Sequence, residues 1–114
     1  MYIYDKANEL ASLIKESDEF TKYKQLKDKI YEDETTKSLV KEYKKLQFEA
    51  QASYMTGKQP ENELIEKLKK VGEVLQFNND VSEYFAAEYK LNTLIGDIYK
   101  ILGDACDVSL DFMD

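Results

Sequence analysis

Apolar residues recur every three or four positions along most of the chain, in five stretches that polar breaks separate. This spacing places the apolar side chains on one face of an α-helix, and such a pattern predicts amphipathic helices. We predict helices at about residues 2–16, 18–32, 35–56, 60–77 and 81–102. Four glycines and one proline in 114 residues are too few for a turn-rich β protein. The predicted fold class is therefore all-α, with about five helices.

Each predicted helix carries its own apolar face. In chain order these faces consist of Ile3, Ala7, Leu10 and Ile14; Phe20, Tyr23, Leu26 and Ile30; Leu39, Tyr43, Leu46, Ala50 and Tyr54; Leu64, Leu68, Val71 and Leu75; and Val81, Tyr84, Leu91, Ile95, Ile98 and Leu102. The length suits one domain with a real core. We predict a single helical domain over residues 1–103, followed by an acidic C-terminal tail over residues 104–114.

Residues that favour helix ends separate the five stretches. Ser17 is suited to cap the start of the second helix. Gly57 suits the position just after the third helix, and Pro60 suits the first turn of the fourth. The segment 78–80 interrupts the chain before the fifth helix, which we expect to end at Gly103.

The third predicted helix is apolar on two opposite sides. At 100° per residue, Phe48, Ala52 and Met55 cluster on the side opposite to the core-facing stripe. Either the chain's own helices wrap around this second side, or a second copy covers it. Because small helical hairpins often complete a bundle across a two-fold axis, we expect a homodimer, with these three residues as the candidate self-association face.

The composition excludes much of the usual catalytic and metal chemistry. The chain has no histidine and one cysteine, Cys106, whereas catalytic triads and the usual zinc sites need imidazole or several thiolates. We therefore expect no enzyme activity, no catalytic residue, no metal site and no cofactor. A single thiol forms no internal disulfide, and no apolar run is long enough to span a membrane. Since the first residues also lack a signal-peptide pattern, we expect a cytoplasmic protein without membrane insertion.

The charge is distributed unevenly along the chain, whose formal net charge is −7. Residues 1–60 carry equal numbers of acidic and basic side chains, so the whole negative excess lies in residues 61–114. Every basic residue is a lysine, and acidic residues interrupt the lysine-rich stretches 22–29 and 41–45. Because a surface of this sign repels phosphate backbones, we do not expect nucleic acid as a partner.

Glu88 is an acidic residue that the pattern places inside an apolar face. Its position on the fifth helix falls in the sector of Tyr84 and Leu91. A carboxylate buried there needs a polar partner, and a contact across a subunit interface would supply one. Alternatively, Glu88 lies at the edge of the face with its carboxylate in water. We keep Glu88 as a candidate interface carboxylate, with both interpretations open.

Four short motifs mark the starts and ends of the predicted helices: SDEFTK at 17–22, DETTK at 33–37, YMTG at 54–57 and LIGDI at 94–98. In this order and at this spacing they resemble the YlbF/YmcA family of small helical proteins from Gram-positive bacteria, most closely its YheA-like branch. The resemblance implies an all-helical fold built around a long antiparallel helical hairpin. It also implies self-association, which would complete a bundle as a dimer.

The resemblance further implies a regulatory role. Two branches of that family are regulators linked to competence, sporulation and biofilm formation. They act with each other and a third protein, in a complex tied to mRNA processing by a membrane-anchored ribonuclease. Those relatives carry several cysteines associated with iron–sulfur clusters, whereas this chain has only Cys106, so we do not expect the cluster here.

These observations together predict the class of function. We expect a non-enzymatic, self-associating regulatory or adaptor protein that acts through protein–protein contacts, with partners beyond the homodimer left open. The alternative is an accessory subunit of an RNA-processing complex that contacts RNA directly.

Overall fold

The computed structural model describes residues 1–108, and every regular element in that range is an α-helix. The five helices are α1 (Tyr2–Glu16), α2 (Asp18–Tyr31), α3 (Glu34–Met55), α4 (Asn62–Gln76) and α5 (Asn79–Ala105). The prediction of an all-α fold with five helices is therefore confirmed. Within the described range, no helix is both long enough and apolar enough to cross a membrane.

Two predicted helix boundaries are wrong by a few residues. α4 begins at Asn62, so Pro60 lies before the helix, where it is buried, and not in the first helical turn. α5 continues past Gly103, which is also buried, to Ala105. A glycine inside a helix costs only about 1 kcal/mol, so favourable packing around it outweighs its tendency to end the helix.

Side-chain caps form at two of the predicted breaks between helices. The Ser17 hydroxyl accepts a hydrogen bond from the Phe20 N–H at 3.2 Å and donates one to the Ile14 carbonyl at 2.6 Å. The Ser17 hydroxyl thus caps both the end of α1 and the start of α2. At the start of α5, the Asn78 side-chain oxygen accepts a hydrogen bond from the Asp80 N–H at 3.0 Å.

The end of α3 has the predicted glycine in the left-handed region. Gly57 has a φ of 78°, and its N–H donates to the Tyr54 carbonyl at 3.0 Å. The Lys58 N–H donates to the Ser53 carbonyl, also at 3.0 Å. This pair of bonds is the Schellman motif, which satisfies carbonyls that the helix leaves unpaired.

The end of α5 repeats this pattern without a glycine. Asp107 has a φ of 54°, its N–H donates to the Asp104 carbonyl at 3.3 Å, and the Val108 N–H donates to the Gly103 carbonyl at 2.9 Å. Aspartate tolerates the left-handed region better than most residues do. The division into a domain over residues 1–103 and an acidic tail over 104–114 stays a prediction, and residues 109–114 lie outside the described part of the chain.

The chain forms two compact units. The second unit, Leu26–Glu83, contains the hairpin of α3 and α4, which pack against each other. A Cβ added at Gly72, late in α4, would lie 3.4 Å from the ring of Tyr43 in the first half of α3. The two helices therefore run antiparallel. The buried apolar residues of this unit are Leu26, Ile30, Val40, Leu46, Ala50, Leu75 and Val81.

The first unit comprises Met1–Gln25 and the chain from Tyr84 onward. Its buried apolar residues Tyr84, Ala87 and Leu91 lie along one face of α5. Tyr84 is completely buried, and its ring stacks on that of Tyr23 with 5.5 Å between the ring centroids. No residue of α1 is buried.

Candidate protein-interaction surface

The outer face of α3 displays the three residues predicted to mediate self-association. Phe48 is 72% exposed and Met55 is 86% exposed, and Ala52 between them is also exposed. At 100° per residue their side chains fall within about 60° of one another. They form a continuous apolar patch on the C-terminal half of the helix, which we call the α3 patch.

The opposite face of α3 is packed within its own unit. Val40, Leu46 and Ala50 are buried, while Leu39 and Tyr43 are half-buried. The centre of this face lies about 160° from the α3 patch on the helical wheel. Packing inside the second unit therefore does not cover the patch.

Two features of the predicted α3 stripe differ from the structure. Val40, which was not in the stripe, is completely buried, and Tyr54, which was, is 61% exposed. Tyr54 lies in the last turn of α3, just before Gly57 reverses the chain. A periodic pattern gives the direction of a side chain, but the end of a helix often has no neighbour in that direction.

Lysines continue the line of the α3 patch toward the start of the helix. Lys37 and Lys41 fall within about 40° of Phe48 on the helical wheel. The Lys37 ammonium lies 5.9 Å from the centre of the Tyr31 ring, and Lys41 is exposed. The outer face of α3 is thus basic in its first half and apolar in its second.

Glu88 has a polar neighbour on its own helix. It is half-buried, and its Oε2 accepts a hydrogen bond from the Tyr84 hydroxyl at 3.1 Å. The sequence places the two residues one helical turn apart, and Tyr84 is held by the buried core of the first unit. A contact of Glu88 across a subunit interface stays a prediction.

The predicted apolar face of α1 is mostly uncovered. Ile3 is 66% exposed, Leu10 is 36% exposed and Ala7 is also exposed, whereas Ile14 is half-buried. The periodicity correctly identified an amphipathic helix, and its apolar face is not packed into a core within the described residues. Nothing in the described residues packs over α1 well enough to bury it.

Cys106 and the first turn of α4 lie on the surface. Cys106 is exposed, and Glu63 makes an exposed ion pair with Lys67 at 3.6 Å. In the part of the chain that the structure describes, no cluster of three or more acidic or cysteine side chains is placed to hold a metal ion. At the start of α3, the Thr36 hydroxyl donates to the Asp33 carboxylate at 2.6 Å and lowers the pKa of that carboxyl.

The sequence matches a known family over most of its length. The family described as "Control of competence regulator ComK, YlbF/YmcA" matches residues 3–106. The chain belongs to the YlbF/YmcA family. A UPF0342 protein from Halothermothrix orenii is 40% identical over 110 residues, which cover 96% of this chain and 93% of that protein. The resemblance drawn from the four motifs is therefore confirmed.

Solved structures from the genus Bacillus share the fold. A protein of unknown function (DUF964) from Bacillus stearothermophilus has a TM-score of 0.74 at 20% identity, with 94% of each chain covered. YheA from Bacillus subtilis has a TM-score of 0.63 at 24% identity, covering 91% of this chain and 94% of YheA. Bacillus subtilis RicA, solved in complex with RicF, has a TM-score of 0.61 at 21% identity and covers 93% and 94% of the two chains.

Proposed function

We propose that this protein is a non-enzymatic regulatory or adaptor module that acts through protein–protein contacts in the cytoplasm, and that the α3 patch mediates its self-association. The observation that carries the proposal is the exposure of Phe48 and Met55 on a helix whose opposite face is already packed. Exposed apolar patches on small proteins typically mark interaction sites. The family supports a regulatory role, and the complex of RicA with RicF supports action through protein partners.

Burial of the α3 patch would contribute a substantial free energy to self-association. Burying a Phe or Met side chain is worth about 1.5–3 kcal/mol. In a dimer with a two-fold axis, each of these residues is buried twice. Since 1.4 kcal/mol corresponds to a factor of ten in Kd, loss of both residues should weaken the dimer at least about 100-fold.

The test is a double substitution that places charge in the patch. The variant Phe48→Asp/Met55→Asp should raise the Kd of self-association at least about 100-fold, because two carboxylates would lose their water in the contact. A matched control, Gln47→Asp/Gln51→Asp, adds the same charge at exposed positions outside the α3 patch. Sedimentation equilibrium measures both masses, and circular dichroism checks helicity.

Two results would contradict the proposal. One is a monomeric unmodified protein at tens of micromolar. The other is a patch variant with the same mass as the control.

An accessory subunit that contacts RNA is the second candidate function. The observation in its favour is the exposed lysine half of the outer face of α3, represented by Lys41 and Lys45. Against it, the chain has no arginine and carries a net charge of −7. Binding of a single-stranded RNA that weakens steeply with salt, and that Lys41→Gln/Lys45→Gln reduces, would favour this candidate over the first.

A further inference from the structure

α1 is an amphipathic helix whose apolar stripe is left mostly uncovered by the described residues 1–108. Its 15 residues include no buried side chain, and Ile3 and Leu13 are 66% and 62% exposed. A helix of this length is marginal in water on its own, and it gains stability mostly by packing its apolar face. The stripe therefore needs a partner.

The spacing of the stripe indicates what kind of partner fits. Ile3, Ala7, Leu10 and Ile14 follow one another at intervals of four, three and four residues. This is the alternating seam of a coiled coil, in which one helix packs along one other helix. Ala7 narrows the seam near its middle, which allows two helices to approach closely.

The stripe is also symmetric about its own midpoint, between Asn8 and Glu9. If two copies of α1 pair in antiparallel fashion across a two-fold axis, Ile3 of one copy lies opposite Ile14 of the other. Ala7 then lies opposite Leu10. Every seam residue meets an apolar residue, which is the self-complementarity that a two-fold interface requires.

The residues beside the seam fit the same arrangement. In an antiparallel pair, one edge brings Tyr4 next to Ala11 of the other copy, and the second edge brings Lys6 next to Leu13. Tyr4 and Leu13 are both largely exposed in the single chain. The Lys6 ammonium already pairs with Glu9 at 3.1 Å, so its aliphatic stem is free to cover Leu13. No like charges face each other at either edge.

The exposed apolar area of α1 suits a small dimer interface. The large apolar side chains of the seam and its edges are Ile3, Tyr4, Leu10, Leu13 and Ile14. At about 60–120 Å² each, they supply about 300–600 Å² per copy. A standard interface buries about 800 Å² per partner.

We propose that α1 pairs in antiparallel fashion with α1 of a second copy of this chain, through the seam of Ile3, Ala7, Leu10 and Ile14. This contact goes beyond the proposed function, because it uses the first unit, whereas the α3 patch belongs to the second. The two surfaces share no residue, so each can be removed without changing the other.

The first experiment measures mass after each surface is altered. Ile3→Asp/Leu10→Asp should raise the Kd of self-association at least 100-fold in sedimentation equilibrium. The control Asn8→Asp/Ser12→Asp adds the same charge on the far side of α1 and should leave the Kd unchanged. If the seam variant keeps the mass of the control, the α1 contact is wrong. If the seam variant loses mass and the α3 patch variant does not, the α1 contact stands and the α3 patch fails.

The second experiment measures the pairing geometry directly with spin labels. In a Cys106→Ser background, single labels at Asn8→Cys and Lys15→Cys occupy equivalent positions of successive heptads. An antiparallel pair separates the two copies of residue 8 by only about 1.5 Å along the helix axis, but the two copies of residue 15 by about 20 Å. The label–label distance should therefore be much longer at position 15. Equal label–label distances at both positions would overturn the proposal. So would the absence of any label–label distance that is lost when unlabelled chain is added.

Discussion

The hydrogen bond between Tyr84 and Glu88 offers a quantitative test of how the first unit is held together. Tyr84→Phe removes only the hydroxyl that donates to Glu88 Oε2 at 3.1 Å. The ring stays, so the stack on Tyr23 and the complete burial of this position are kept. We expect the variant to fold normally and to be less stable.

The expected loss follows from the burial of the two partners. A hydrogen bond to a charged group contributes about 1.5–3 kcal/mol, and one between neutral groups about 0.5–1.5 kcal/mol. Glu88 is only half-buried, so its carboxylate regains water when the hydroxyl is removed. We therefore expect a loss of about 1 kcal/mol, which lowers the Tm by about 4 °C in a domain of this size.

The assay is chemical and thermal denaturation of a double-mutant cycle. Tyr84→Phe and Glu88→Ala, singly and together, should show a coupling energy of about 1 kcal/mol, as expected for residues in direct contact. The matched control is Tyr89→Phe, because Tyr89 is the next-turn tyrosine on the same helix and is 74% exposed. Tyr89→Phe should change the free energy of unfolding by no more than about 0.5 kcal/mol.

Two outcomes would refute this reasoning. Equal stabilities for the Tyr84→Phe and Tyr89→Phe variants, or a coupling energy near zero, would show that the hydrogen bond does not stabilise the unit.

The Kd of self-association of the Glu88→Ala variant tests the role of Glu88. If Glu88→Ala raises this Kd as well as destabilising the fold, Glu88 acts at a subunit interface. If it changes only the free energy of unfolding, Glu88 is an edge residue of the first unit.

Two further predictions concern the ends of α3. Gly57→Ala should lower the free energy of unfolding by about 1 kcal/mol, measured by urea denaturation; the cost comes from the φ of 78°, since an added Cβ meets no atom within 4 Å. An unchanged stability would contradict this account. Thr36→Val should raise the pKa of Asp33 toward its usual value, measured by NMR titration. Since the folded-state pKa of Asp33 is lowered, the Thr36 contact stabilises the protein above the unfolded-state pKa of about 3.9, and that stabilisation is lost as the pH falls. An Asp33 pKa that does not change would contradict it.

The sequence by itself determined the helices and most of their ends. The three- and four-residue spacing gave all five helices, because the period of an α-helix is imposed by local backbone geometry. Ser17 and Gly57 were identifiable for the same reason, since a cap or a left-handed residue satisfies backbone groups within a few positions. The motifs of the YlbF/YmcA family were equally local, and they sufficed for the family assignment.

The tertiary structure decided which apolar faces are covered. Val40 and Tyr54 on α3 show the limit of the helical wheel. The wheel gives each side chain a direction, but packing within the second unit buries Val40, and the end of the helix leaves Tyr54 exposed. α1 shows the limit of the sequence pattern more strongly, because its regular apolar stripe looks in sequence like a core stripe and yet is mostly exposed. Periodicity predicts that a helix has an apolar face. The partner that covers this face depends on contacts distant in sequence or on another chain. The two surfaces for which we propose partners, the α3 patch and the α1 seam, are both apolar surfaces that the described residues leave open.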